Sequence, residues 1–154
     1  MIRSGEIISF WLEFCETRRL PEHVHYQVWY FGDSQGMARE LAELVIAGNK
    51  TATASMVSVN QIKHDTAPVV GGYSVVTDFD NEPKCVIRTE EVRHLPFSEV
   101  DEKFAFDEGE GDRSLEYWRT VHRDYFKKEA LENSVEFGPR SMICCERFAL
   151  LYHR

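Results

Sequence analysis

The sequence predicts an α+β fold, a small mixed or antiparallel β-barrel with helices packed on it. Segments with helical and strand-like periodicity alternate along the 154 residues, yet the crossover helices of a regular parallel sheet are missing. The last segment, SMICCERFALLYHR, is apolar on both faces, which is typical of a central strand. The length fits one domain, which we place at residues 1–154.

An amphipathic helix is predicted over residues 5–19, and Pro21 follows its end. Its apolar residues recur at the spacing of one helical face: Ile7, Phe10, Trp11 and Phe14. We expect residues 1–20 to form an N-terminal helical extension packed on the domain.

The next strand is predicted in HVHYQVWYFGDS, where β-branched and aromatic residues precede a turn. Asp33 or Ser34 can cap the following helix, predicted over residues 36–47, and Gly48 is a natural C-cap. The strand TATASMVSV comes next, so Lys50 stands at a helix-to-strand corner.

A polar loop, QIKHDTAPVVGG, leads to two further strands, YSVVTDF and KCVIRTEEV, with a turn at Asp80 and Asn81. Arg88 is a charge set among the apolar residues of the second strand. Together these segments complete the strands of the barrel before the C-terminal one.

The segment PFSEVDEKFAF opens with a capping-box pattern at Ser98 and Asp101, which predicts a short helix. An acidic loop broken by glycines, DEGEGDRS, then precedes the longest helix, predicted from about Ser114 to Glu132. Five of its residues have helical spacing: Leu115, Trp118, Val121, His122 and Tyr125.

The overall charge excludes simple electrostatic binding to polyanions. Against 26 acidic residues the chain has 18 Lys and Arg, a formal charge of -8, so nucleic acid would need a local basic cleft. No signal peptide or membrane-length apolar run is present, and the cysteines form no CxxC pair. We expect a cytoplasmic protein that does not bind membranes.

The stretch GNKTATAS carries the first candidate chemistry. Gly48 ends a helix where the glycine of a phosphate-binding P-loop would precede one, which argues against that motif. A desolvated Lys50 could activate a hydroxyl nucleophile such as Thr53, whereas a charged Lys50 could stabilise a developing anion. A solvated turn lysine beside a strand threonine is the simpler alternative.

The acidic loop DEGEGDRS carries the second candidate chemistry. Closely spaced carboxylates of Glu108, Glu110 and Asp112 could bind a divalent cation or hold a proton at a raised pKa. Alternatively, the loop is a solvated turn in which Asp112 caps the long helix.

A third set of residues could contact an anionic substrate. Arg88, Arg119 and His122 would bind phosphate, and Trp118 could stack on a base. Structural ion pairs and core packing are the alternatives for these residues.

Five stretches together resemble the ASCH domain family over roughly residues 26–152. These are FGDS at 31–34, the helix ending in GNKTAT, CVIRT at 85–89, PFSEVDEKFAFDEGEGDRSLEYWRTVH at 96–122, and CERF at 145–148. The resemblance implies a PUA-like mixed or antiparallel barrel of about five to six strands surrounded by helices. It also implies an RNA or modified-nucleoside ligand.

The family's G-x-K-x-x-T motif corresponds to Gly48, Lys50 and Thr53, and its A-x-x-E pattern places a functional glutamate at Glu108. Two activities have been assigned to such proteins: metal-assisted cleavage of single-stranded RNA and amide hydrolysis of acetylated cytidine. No organic cofactor is implied.

We favour RNA cleavage, with Lys50 and Arg88 on the scissile phosphate. The acidic loop would then place Mn²⁺ or Mg²⁺, or take the 2′-hydroxyl proton; its candidate residues are Glu108, Glu110 and Asp112. The residues predicted to contact substrate are Ser55, Arg88, Ser114, Trp118, Arg119 and His122.

Two alternatives stay open at this stage. An amidohydrolase would use Thr53 as nucleophile, Lys50 as its activator and Glu108 as the proton shuttle to the leaving amine. A non-catalytic module would bind RNA in the same cleft by stacking and base-edge contacts.

Overall fold

The computed structural model describes residues 4–63 and 67–154, and its centre is a five-stranded sheet curled into a half-barrel. The strands are β1 (Tyr26–Tyr30), β2 (Ala52–Met56), β3 (Tyr73–Thr77), β4 (Pro83–Pro96) and β5 (Met142–His153). The α-helices of the described residues are α1 (Gly5–Arg18), α2 (Gln35–Ile46), α3 (Val57–Lys63), α4 (Glu102–Glu108) and α5 (Leu115–Glu132). A 3₁₀ turn at Phe97–Glu99 precedes α4.

The strand order is β1-β3-β4-β5-β2. Only the β1–β3 pair is parallel within the described ranges, while β3–β4, β4–β5 and β5–β2 are antiparallel, so the predicted mixed sheet is confirmed. β5 lies between two neighbours, as its apolar faces predicted. β1 and β2 are the two edge strands of this order. Because these edges are not joined to each other in the described part of the chain, the curled sheet is an open half-barrel.

The two faces of the sheet are covered by different helices. On one face, α1 packs its aromatic residues against the sheet; this core contains Ile7, Phe10, Trp11, Phe14, Tyr26, Val75 and Val86. The opposite face packs on α2 through Phe31, Ala42, Val45, Val76, Cys85, Ile87 and Phe148. A third core joins β2 and β5 to α4 and α5, with Phe97, Phe104, Trp118 and Phe126 at its centre.

The predicted helices and strands are found, with one helix that the sequence did not reveal. The strand predicted in TATASMVSV ends at Met56, and the chain turns into α3 because Val59 is buried in the third core. Positions 64–66 of the predicted polar loop lie outside the described residues, as do positions 1–3 of the predicted extension.

The helix caps follow the sequence except at α4. Ser34 caps α2 and Ser114 caps α5 by accepting from the backbone N–H three residues on. The cap of α4 is Asp101, which accepts from the Phe104 N–H at 2.9 Å. Ser98 lies in the 3₁₀ turn instead, so the capping box predicted to start there is wrong.

Candidate functional site

Lys50 is buried at the corner between α2 and β2. Its side chain is 1% exposed, and its ammonium lies 3.0 Å from Glu108 Oε1 and 2.8 Å from Glu110 Oε2. The Glu108 carbonyl oxygen accepts a further bond at 3.3 Å. The lysine is therefore not a solvated turn residue, and its charge is matched by two carboxylates.

Close backbone packing brings the two glutamates to Lys50. The Thr51 N–H donates to the Asp107 carbonyl at 2.8 Å, which joins the start of β2 to the end of α4. Gly109 follows α4 with φ of +74°, and a Cβ there would lie 2.1 Å from the Asn49 carbonyl oxygen. Only glycine fits such a left-handed position against a neighbouring backbone.

Helix α5 supplies the other side of the site. The indole N–H of Trp118 donates to Glu108 Oε2, and Nε2 of His122 lies 3.2 Å from the same oxygen. Nδ1 of His122 is 2.8 Å from the Trp118 carbonyl, which fixes the ring one helical turn further on. The Glu108 carboxylate thus joins Lys50 on one oxygen to Trp118 and His122 on the other.

The arrangement determines which groups carry charge. Burial acts to lower the pKa values of Lys50 and His122, but the Glu108 carboxylate, together with Glu110, outweighs it and raises both. Burial acts to raise the pKa of Glu108, and the charges of Lys50 and His122 outweigh this and hold it low. Lys50 is therefore an ammonium ion at neutral pH, and Glu108 is a carboxylate.

Glu110 differs from Glu108 in exposure and in the direction of its pKa shift. Its side chain is 16% exposed and covers the Lys50 ammonium. Burial and the charge of nearby Glu108 raise its pKa against the opposing effect of Lys50. A phosphate or other anion that binds the Lys50 ammonium where Glu110 now does would displace this side chain.

A second buried carboxyl, Glu146, lies opposite Thr53 in the β2–β5 register. It is 6% exposed and accepts from Thr89 Oγ1 at 2.6 Å. Burial raises its pKa to about 6, although the Thr89 bond and the Lys50 charge act to lower it. Glu146 is not among the site residues predicted from the sequence, where its only signal is one acidic residue in the apolar strand CCERF.

The aromatic residue Phe31 also belongs to the site, because its ring centroid is 5.2 Å from the Lys50 ammonium. In the sequence, Phe31 stands out only as part of FGDS. Its ring packs on the sheet face that also carries Phe148, two residues from Glu146.

Three groups could offer ligand atoms to a metal: Glu108, Glu110 and His122, whose atoms lie within 4.8 Å of one another. Asp112 is absent from this group and accepts instead from the Ser114 N–H at 2.9 Å. The Lys50 ammonium would compete with a metal for two of these groups, since it donates to both carboxylates. Metal binding by these residues stays a prediction.

Of the residues predicted from sequence, Lys50, Glu108, Glu110, Trp118 and His122 come together. The others have different neighbours: Ser55 accepts from Asn60 at 2.8 Å, Arg88 pairs with Glu90 at 3.4 Å, and Arg119 donates to the Ser98 carbonyl at 3.3 Å. Ser114 caps α5.

A five-stranded half-barrel with helices on both faces is a PUA-like α+β fold. The sequence profile of the ASCH domain matches residues 27–152, and the chain belongs to this family. ASCH domains are generally linked to RNA binding. The predicted resemblance is thereby confirmed.

Two solved structures are similar over nearly the whole chain. An ASCH domain from Lactobacillus crispatus JV V101 has 32% identity and a TM-score of 0.86, covering 94% of this chain and 93% of that one. A protein from Enterococcus faecalis V583 has 33% identity and a TM-score of 0.83, covering 92% and 85%. No match was found among curated proteins.

Within the described ranges, no helix has the length and apolar character needed to cross a membrane.

Proposed function

We propose that the protein is a ribonuclease that cleaves single-stranded RNA, with Lys50 as the group that binds the scissile phosphate. The observation that carries the proposal is the fully buried, charged lysine held between two glutamates. A buried ion pair contributes little net stability compared with apolar packing, whereas shifted pKa values cluster at functional sites.

The charge state of Lys50 supports phosphate chemistry. An ammonium ion with a raised pKa is a poor base, but it stabilises the negative charge that develops on a phosphorane oxygen. In a dry site this stabilisation is stronger than in water, and the salt bridge to Glu108 keeps the ammonium in position before substrate arrives.

Glu110 has two roles in the proposed reaction. In the free protein its carboxylate accepts a hydrogen bond from the Lys50 ammonium, and an incoming phosphate oxygen replaces it there. Once displaced, the carboxylate accepts the proton of the ribose 2′-hydroxyl, for which its raised pKa suits it.

The bond changes balance without an added reactant. The 2′-oxygen attacks the adjacent phosphorus as its proton passes to Glu110, and the bond from phosphorus to the 5′-oxygen breaks. Lys50 gives a proton to that leaving 5′-oxygen. The products are a 2′,3′-cyclic phosphate and a 5′-hydroxyl, and solvent restores both protonation states.

A second candidate, hydrolysis of acetylated cytidine, is favoured by a different observation. Thr53 lies directly opposite Glu146, whose pKa of about 6 lets it accept a hydroxyl proton near neutral pH. In this version Thr53 attacks the amide carbonyl as Glu146 takes its proton, and Lys50 stabilises the oxyanion. The bond from the carbonyl carbon to the exocyclic nitrogen then breaks, Glu146 returns the proton to the leaving amine, and water releases acetate from Thr53.

The two functions are separated by one assay. The purified protein is incubated with end-labelled single-stranded RNA and, in parallel, with acetylcytidine, each with EDTA and with added Mn²⁺. The proposal expects RNA fragments ending in a cyclic phosphate, formed in EDTA. Release of cytidine with intact RNA would establish the second candidate instead, and RNA binding without either reaction would indicate a non-catalytic module.

The role of Glu110 has its own test. Glu110→Gln should lower the cleavage rate about 10²–10⁴-fold, the usual contribution of a general base. RNA affinity should stay the same or increase, because the competing carboxylate charge is gone. A variant that cleaves at the wild-type rate would exclude Glu110 as the base.

A further inference from the structure

A groove of about 450 Å³ lies beside α5, away from the contacts of Lys50. We call it the α5 groove. It is lined by Phe97, Ser98, Arg119, Arg123, Lys127, Phe137, Gly138 and Pro139. Three cations on one side and two aromatic rings within it distinguish this groove from the acidic surface of the chain.

The cations form a row along α5. Arg119, Arg123 and Lys127 follow each other at intervals of four residues, so they share one helical face and are about 6 Å apart along the axis. This spacing is close to that of successive phosphates along an extended strand.

The row is not neutralised by the protein. In the part of the chain that the structure describes, none of the three pairs with a carboxylate. Arg119 donates to the Ser98 carbonyl, and the Arg123 guanidinium lies 6.0 Å from the Phe97 ring centroid. On a chain of net charge -8, such a row is a local site for anions.

The apolar part of the groove can hold a base. Phe137 is half-buried, and its ring meets Phe97 edge-on at 5.0 Å. Phe97 in turn stacks on Trp118, at 5.4 Å and 28°. Because Trp118 donates to Glu108, the groove and the Lys50 site are separated by two stacked rings.

We propose that the α5 groove binds single-stranded RNA, with Arg119, Arg123 and Lys127 on successive phosphates and a base stacked on Phe137. The groove would then position an RNA chain whose scissile bond lies at Lys50. The inference extends the proposed function, yet it concerns binding alone and can be tested without cleavage.

The test is the salt dependence of binding to a labelled oligouridylate. For single strands, each neutralised phosphate contributes about 0.7 to the slope of log K against log salt concentration. Arg123→Gln/Lys127→Gln removes two exposed cations, so the slope should fall by about 1.4 relative to wild type. Thermal melting checks that the variant is folded.

Lys128→Gln is the matched control. Lys128 is adjacent to Lys127 on α5, but it already pairs with Asp33 at 2.9 Å. Its loss should leave the slope unchanged, although the net charge changes by one. A slope that falls equally in the control would indicate a general charge effect and overturn the assignment.

The remaining outcomes are distinct from those of the cleavage assay. If the wild-type protein does not bind the oligouridylate, or if the double variant has the wild-type slope, the assignment of RNA binding to the α5 groove is wrong. If RNA binds with the predicted slopes but is never cleaved, that assignment stands and the proposed function is wrong.

Discussion

At the scale of single residues, a fully buried lysine requires nearby anions, because an isolated ammonium in a protein interior loses its hydration at great cost. Lys50 meets this requirement with Glu108 and Glu110, and His122 balances Glu108 from the other side. The four side chains therefore form one charge network centred on the fully buried Lys50–Glu108 pair.

Lys50→Met tests this dependence. The variant retains the shape of the side chain but leaves the buried Glu108 with less compensation, so we expect a loss of about 3–5 kcal/mol in the free energy of unfolding. Urea denaturation measures it. Adding Glu108→Gln should recover part of the loss, because the fully buried carboxylate is then neutral while Glu110 is partly exposed, and activity should stay absent.

If Lys50→Met alone is as stable as wild type, the two carboxylates are not held by the lysine. If the double variant is less stable than either single one, packing rather than charge maintains the corner. Either result would contradict the charge network.

The raised pKa of Glu146 leads to a prediction about how the stability of the protein depends on pH. Its folded pKa of about 6 exceeds the ordinary 4.5, so the folded chain binds more protons than the unfolded one between these values. The stability that Glu146 contributes is complete below about pH 4.5 and is lost as the pH rises through about 6. The shift corresponds to about 2 kcal/mol.

The measurement compares wild type with Glu146→Gln, which can still accept from Thr89. Urea midpoints at about pH 4 and about pH 7 should show the variant gaining about 2 kcal/mol relative to wild type at the higher pH. A stability difference that does not change with pH would mean that Glu146 titrates normally.

At the scale of secondary-structure elements, the site depends on how the α2–β2 corner meets the end of α4. Gly109 permits this contact, because its Cβ-free backbone lies against Asn49. The corner itself turns at Gly48, which has φ of +84° but open space where a Cβ would stand. These two glycines share a left-handed conformation and differ only in their surroundings.

Gly109→Ala should therefore reduce both stability and activity, because the clash with Asn49 displaces the backbone on which Glu108 and Lys50 are held. Gly48→Ala is the control: it costs about 1–2 kcal/mol from the left-handed backbone alone and leaves cleavage per folded molecule unchanged. Equal effects of the two substitutions on activity would contradict the importance of the contact.

Most elements could be predicted from the sequence, because periodicity and caps are local signals. The partners of Lys50 could not, because Glu108 is 58 residues away and the sequence does not say which carboxylate faces which cation. The resemblance to the family identified Lys50 and Glu108. Glu110 was expected as a metal ligand, and its contact with Lys50 emerged only from the fold.

At the scale of the whole molecule, the sheet lies between the α1 core, which contributes to stability, and the candidate site. The α1 core covers one face, whereas Phe31, which contacts Lys50, packs on the other. Within the described residues, α1 accordingly supplies a large part of one core on the face opposite Phe31.

Phe14→Ala tests this separation. Phe14 is fully buried in the α1 core beside Trp11, so its truncation should cost about 3–5 kcal/mol. Cleavage per folded molecule, measured well below the melting temperature, should equal that of wild type. A change in rate without unfolding would show that α1 acts on the site through the sheet.

The central claim is that Lys50 performs the chemistry while other cations hold the RNA. Its most direct test is single-turnover cleavage of labelled single-stranded RNA in EDTA, comparing wild type with Lys50→Met at saturating protein. We predict that the variant still binds the RNA, with a salt slope lower than wild type by no more than about 0.7, the contribution of one phosphate contact, and cleaves it at least about 10²-fold more slowly. Cleavage by folded Lys50→Met at the wild-type rate would contradict the claim.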